Sequence, residues 1–98
     1  MGNSLKSARF LIESRLRDAA GGDADACYDL GIVYSSGADG VDVDLIEAHK
    51  WFNIAAMSGS ERAQECRAEI AEDMTAREII TAQKAARDWL NATVRKAA

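Results

Sequence analysis

Two features of this sequence could carry chemistry: a single histidine and a group of aspartates. The histidine, His49, follows Ala48 and precedes Lys50 in a segment with helical spacing. No Ser/His/Asp or Cys/His set can be assembled around it from the sequence. We therefore predict that His49 lies on the surface or at the edge of its helix, and that the protein is not an enzyme.

The aspartates cluster around Gly40. Asp39, Asp42 and Asp44 offer oxygen ligands of the kind that calcium prefers, but they lack the spacing of a calcium loop and its terminal bidentate glutamate. Glu47 stands at the third helical position after Asp44, which is the arrangement of a helix capping box. We predict neither a metal site nor a cofactor.

The two cysteines, Cys27 and Cys66, fit no metal or redox motif by their spacing. The N-terminus lacks the apolar stretch of a secretory signal. We therefore predict reduced, structural thiols in a cytoplasmic protein. A disulfide is the alternative, as is a periplasmic location if an export signal has been removed.

The 98 residues fit one domain, and their net charge of −4 argues against nucleic acid as a partner. No apolar run approaches the length of a membrane span.

Charge is unevenly distributed along the chain. Residues 23–47 hold seven acids and no base, whereas residues 75–98 hold five bases, including Arg95 and Lys96, and two acids. The acids either form solvated helix faces or an acidic docking surface for a basic partner.

Apolar residues at three-to-four spacing, divided by glycine and by capping residues, predict an all-α chain. Asp23, Ser60 and Thr75, the last with Glu78 three residues on, are the predicted N-caps. Gly31 falls inside a helix, where it costs about 1 kcal/mol relative to alanine, and so predicts a close helix crossing. The predicted helices are 4–20, 24–36, 45–58, 61–72 and 76–95.

The helices repeat along the chain. A shift of 36 residues places Ile12 on Ala48 and Leu16 on Phe52, and a shift of 37 places Gly22 on Gly59. Two helices per unit at this period indicate a short α-solenoid. We predict a single domain over 1–98, with a half repeat at 4–20, a full repeat at 22–59, and a degenerate repeat with a capping helix at 60–98.

Residues 22–60 carry small, aromatic and apolar residues at fixed spacing across two helices and the turn between them. These positions are Ala26, Tyr28, Leu30, Gly31, Tyr34, Gly37, Gly40, Val41, Asp44, Ala48, Trp51, Phe52, Ala55, Ala56 and Gly59. In this pattern the segment resembles a Sel1-like repeat, a relative of the tetratricopeptide repeat. It departs from the family in the turn at residues 37–40, which is one residue longer than the usual Gly-x-Gly.

The resemblance implies a right-handed stack of antiparallel helix pairs that binds other proteins, often as an adaptor in bacterial signalling, without a cofactor. It also places the binding face on the first helix of each pair. There, Asp25, Asp29 and Val33 fall on one stripe, which would suit a basic peptide or helix. A plain solvated face is the alternative.

The two tryptophans differ in their expected roles. Trp51 occupies a packing position of the repeat and is predicted to lie in the core, whereas Trp89, on the last helix, is either an interface anchor or part of a cap. An anchor at Trp89 would permit self-association, which is the alternative function. A further alternative is an enzyme-associated domain of the cysteine-rich, penicillin-binding type. Such a domain would need paired cysteines in each repeat, which this sequence lacks.

Overall fold

The computed structural model describes residues 4–97, and within them the side chains of residues 8–38 and 40–93. The side chains of Asp39, Arg95 and Lys96 thus lie outside the description. Over this range the chain forms five α-helices and a 3-10 turn at Ala38–Gly40, with no strand. The helices are α1 (Ser4–Ala20), α2 (Ala24–Ser36), α3 (Leu45–Met57), α4 (Glu61–Ala71) and α5 (Ala76–Ala97).

The all-α prediction is confirmed, because every predicted helix is present and its ends differ by at most two residues from those expected. The predicted N-caps explain this agreement. The side chains of Asp23 and Ser60 accept backbone hydrogen bonds from the first turns of α2 and α4. At α5, the Thr75 N–H donates to Glu78 Oε1 at 2.8 Å and the Glu78 N–H donates to Thr75 Oγ1 at 3.1 Å, which is a complete capping box.

The capping box predicted at α3 is only half formed. Asp44 Oδ1 accepts a hydrogen bond from the Glu47 N–H at 3.1 Å, as expected. The Glu47 carboxylate instead accepts a hydrogen bond from Trp51 Nε1 at 3.0 Å, and the Asp44 N–H donates to the Tyr34 carbonyl oxygen at 2.9 Å. Glu47 is thus recruited by the indole N–H, a donor that needs a partner because Trp51 is buried.

Helix α3 lies in the middle of the fold. It packs against α2, α4 and α5, whereas α1 packs against α2 and the 3-10 turn. The largest fully buried side chains are Leu30 of α2 and Trp51 and Phe52 of α3. This confirms the predicted core position of Trp51.

The predicted close crossing at Gly31 is also confirmed. A Cβ atom at this position would lie 2.4 Å from ring carbons of Phe52. The same ring contacts Tyr28, one helical turn earlier, with the ring centroids 5.8 Å apart. The absent side chain of Gly31 therefore lets α2 approach the Phe52 ring directly.

The extra residue between α2 and α3 is accommodated by the 3-10 turn. Gly37 and Gly40 have φ angles of 70° and 82°, in the left-handed region that glycine adopts most readily. A Cβ atom at Gly37 would also lie only 3.1 Å from the Val41 carbonyl oxygen and from Val43 Cγ2. The longer turn leaves the helix pair intact, because α2 still packs against α3.

The prediction that His49 lies at the surface is wrong. Its side chain is only 3% exposed, and burial, together with the nearby positive charge of Arg67, lowers its pKa below the usual value. The reason is that α3 packs against three other helices, and His49 lies on a side of α3 that they cover, near Arg67 of α4. The repeat pattern also led us to expect a buried side chain at Leu16, which aligns with Phe52. In the structure Leu16 is 37% exposed.

Candidate partner-binding surface

The three predicted binding residues of α2 lie along one side of the helix, but they are not equally accessible. Asp25 is exposed, whereas Asp29 and Val33 are half-buried. Asp29 Oδ2 lies 3.0 Å from Arg15 Nε of α1, so one of the two acids is already paired within the protein. The pair is partly exposed, and it therefore contributes little to stability and can rearrange when a ligand binds.

A groove of about 280 Å³ lies between α1 and α2, next to this ion pair. Its lining is mainly apolar, with the Arg15–Asp29 pair at the edge. The lining residues are Leu11, Arg15, Asp29, Ile32 and Val33. Two of the predicted binding residues, Asp29 and Val33, are therefore brought together with apolar side chains of both helices.

A second groove, of about 310 Å³, lies between α2 and α4. The exposed carboxylates of Glu69 on α4 and of Asp73 in the turn after α4 line this groove together with the half-buried Ile70. The complete lining is Ile32, Ser35, Phe52, Cys66, Glu69, Ile70 and Asp73. This groove is more polar than the first, because Ser35 and two acidic side chains stand among its apolar residues.

The two grooves share one residue, Ile32, whose side chain is 37% exposed. We call Ile32 and the two grooves beside it the Ile32 surface. Asp29 lies on one side of Ile32, and Glu69 and Asp73 lie on the other. An apolar side chain thus lies between acidic groups of two helices.

Sequence reasoning missed Ile32, Glu69 and Asp73 as members of this surface. Ile32 lies three residues after Asp29, so the helical period placed it beside the predicted stripe. The carboxylates of Glu69 and Asp73 could not be assigned to the same surface, because their position depends on how α4 packs against α2 and α3.

Two predicted binding residues do not line the grooves of the Ile32 surface: Asp25, which lies two turns before Ile32 on α2, and Trp89 on α5. Trp89 is half-buried and packs edge-on against Trp51, with ring centroids 5.1 Å apart at an interplanar angle of 74°. The structure thus gives Trp89 a packing partner within the chain, and its role in binding another protein stays a prediction.

The reactive side chains have environments that suit packing. Both cysteines are free, as predicted, and burial, aided by the charge of Asp23, raises the pKa of the Cys27 thiol to about 11. The Cys66 Sγ lies 3.9 Å from the Tyr28 hydroxyl.

Among the described residues, no group of three or more histidine, cysteine or acidic side chains could hold a metal ion. None of the helices within residues 4–97 has the length and apolarity needed to cross a membrane.

Comparison with known protein families matches residues 24–60 to the Sel1 repeat. The matched segment comprises α2, the 3-10 turn and α3. No curated protein and no solved structure matches the chain. Residues 24–60 are therefore a Sel1 repeat, a helical repeat of the tetratricopeptide type that generally mediates protein–protein interactions.

Proposed function

We propose that the protein is a non-catalytic interaction module that binds a basic segment of another protein at the Ile32 surface, and that it acts as an adaptor or regulator in bacterial signalling. The observation that carries this proposal is the arrangement around Ile32. A partly exposed apolar residue joins two grooves, of which one is lined by the Arg15–Asp29 ion pair and the other by the carboxylates of Glu69 and Asp73.

The chemistry of this surface favours one kind of ligand. An apolar side chain of the ligand would pack on Ile32 and enter one of the grooves, which removes apolar area from water. Lysine or arginine residues flanking it would face Glu69 and Asp73 on one side and Asp25 and Asp29 on the other, where the ligand would replace Arg15 as the partner of Asp29. Opposite charge would increase the association rate and select against acidic segments.

Affinity capture from the organism that encodes the protein tests the proposal. The bait proteins are the wild type, the double variant Asp25→Lys/Asp29→Lys, and the control double variant Asp42→Lys/Asp88→Lys. The control changes net charge by the same amount, and its exposed residues lie outside α2 and outside both grooves. Circular dichroism verifies that the three baits have equal helicity.

We expect one partner to be retained by the wild type and by the control, and to be lost from the Asp25→Lys/Asp29→Lys variant. Its retention should also weaken with salt, since the charges are close to solvent. A partner that all three proteins retain equally, or no retained partner, would contradict the proposal.

Self-association is the alternative, and one observation favours it. Phe10 and Met57 are 74% and 66% exposed, which is high for side chains of their size. Sedimentation equilibrium tests the alternative: a mass that rises with concentration would support self-association, and a monomer at all accessible concentrations would exclude it.

A further inference from the structure

A third groove lies between α3 and α5, and it differs in chemistry from the Ile32 surface. Its volume is about 510 Å³, larger than either of the other two. It shares no lining residue with them. The lining residues are Asn53, Met57, Gln83, Arg87, Leu90 and Asn91.

Three of these residues carry side-chain amides, which can both donate and accept hydrogen bonds and so match the N–H and C=O groups of a peptide backbone. The Oδ1 atom of Asn53 already accepts a hydrogen bond from Arg67 Nη1, so Asn53 offers its amide N–H groups to a ligand. Gln83 and Asn91 are exposed. Met57 and Leu90 supply an apolar contact beside these amides.

The charge of the groove is positive. Arg87 is its only charged lining residue, and among the side chains that the structure describes, no carboxylate lies within ion-pair distance of it. The adjacent acid, Asp88, is paired with Lys84, with Nζ and Oδ2 3.0 Å apart. The Arg87 guanidinium can therefore form a bidentate ion pair with the carboxylate of a ligand.

We propose that the α3–α5 groove binds an extended, acidic segment of a partner protein. Arg87 would bind a carboxylate of the segment, the amides of Asn53, Gln83 and Asn91 would pair with its backbone, and Met57 with Leu90 would accept an apolar side chain. A phosphate group is less well matched, because phosphate sites use several cations or a row of backbone N–H groups. Together with the proposed Ile32 surface, this groove would give the protein two binding surfaces of opposite charge, one for each of two partners.

Selection from a random peptide library displayed on phage tests this inference without knowledge of the natural partner. The wild-type protein is the target, and the Arg87→Gln variant is used to remove peptides that bind elsewhere. We expect enrichment of peptides that combine an acidic residue with an apolar one. In two-dimensional ¹H–¹⁵N NMR spectra, adding a synthetic peptide of the enriched sequence should shift the side-chain amide signals of Asn53, Gln83 and Asn91.

The affinity of that peptide should fall about tenfold or more in Arg87→Gln, which loses a charge-assisted hydrogen bond. The Arg77→Gln variant is the matched control, since Arg77 is an exposed arginine of the same helix outside the groove, and it should bind as the wild type does. Enrichment of peptides without acidic residues, no enrichment, or amide shifts confined to α2 and α4 would overturn the proposal. Dimerisation through the α3–α5 groove, detected as loss of a dimer in Met57→Glu, would also overturn it.

Discussion

Helices α1 and α3 occupy equivalent positions in the sequence repeat, yet they differ in how deeply their residues are buried. The 36-residue shift superimposes Leu16 on Phe52, and these side chains are 37% and 1% exposed. It also superimposes Glu13, which is exposed, on His49, which is buried. Ala19 and Ala55, by contrast, are buried in both helices.

The comparison shows that burial in a helical repeat depends on the neighbouring helices as well as on the helical phase. Both alanines precede the turn into the next helix, and each of α1 and α3 packs against the helix that follows it. Only α3 is also packed against the helix preceding it, through the contact of Phe52 with Gly31. The predictions below test this difference, from the largest effect to the smallest.

Phe52→Ala should have the largest effect on stability. It removes a fully buried ring from the crossing of α2 and α3, and substitutions of this kind cost about 3–5 kcal/mol. Urea unfolding followed by circular dichroism measures the loss in the free energy of unfolding. A loss below about 1 kcal/mol would show that α3 is no better packed than α1.

Gly31→Ala should destabilise the protein, although alanine favours a helix by about 1 kcal/mol. The added Cβ would lie 2.4 Å from the Phe52 ring, and overpacking of this kind costs about 1–3 kcal/mol. The double variant Gly31→Ala/Phe52→Leu, with a smaller side chain opposite, should be less destabilised than the sum of its single changes. If Gly31→Ala alone raised the melting temperature, the close crossing would be disproved.

The burial of His49 should make stability depend on pH. Its pKa is lowered in the folded protein, so the unfolded chain binds a proton first as the pH falls. The free energy of unfolding should therefore decrease below about pH 6.5, the usual titration point of histidine, until the lowered pKa is passed. His49→Gln removes this component. Urea titrations at several pH values should therefore show that the free energy of unfolding depends less steeply on pH in His49→Gln than in the wild type. The same pH dependence in both proteins would contradict the account.

Leu16→Ala should have the smallest effect, with a loss below about 1 kcal/mol, because the side chain is already partly in contact with water. The same unfolding assay measures it, with Phe52→Ala as the equivalent change in α3. Similar losses in the two variants would mean that α1 and α3 are equally covered in solution.

The sequence was most informative where the structure depends on local chemistry. The caps at Asp23, Ser60 and Thr75 and the break after Ser36 located the helices, because these signals involve only neighbouring residues. The crossing at Gly31 was also predictable, since a glycine inside a helix requires a packing reason.

The sequence was least informative where the outcome depends on which helices meet. The burial of His49 and the recruitment of Glu47 by Trp51 follow from the central position of α3, which no local pattern encodes. The Ile32 surface likewise unites residues of α1, α2 and α4. Asp25, Asp29 and Val33 could be proposed from the helical period, but their neighbours on α4 could not.

The most direct test of the proposed function is calorimetric titration of the captured partner into the wild type, Ile32→Gln and Ile80→Gln. The two variants make the same uncharged change at exposed isoleucines, one at the centre of the Ile32 surface and the other on α5. We predict that Ile32→Gln weakens binding about tenfold or more, as expected when an apolar contact is replaced by a buried polar group, and that Ile80→Gln binds as the wild type does. Equal affinity for all three proteins would contradict the assignment of the Ile32 surface as the binding site.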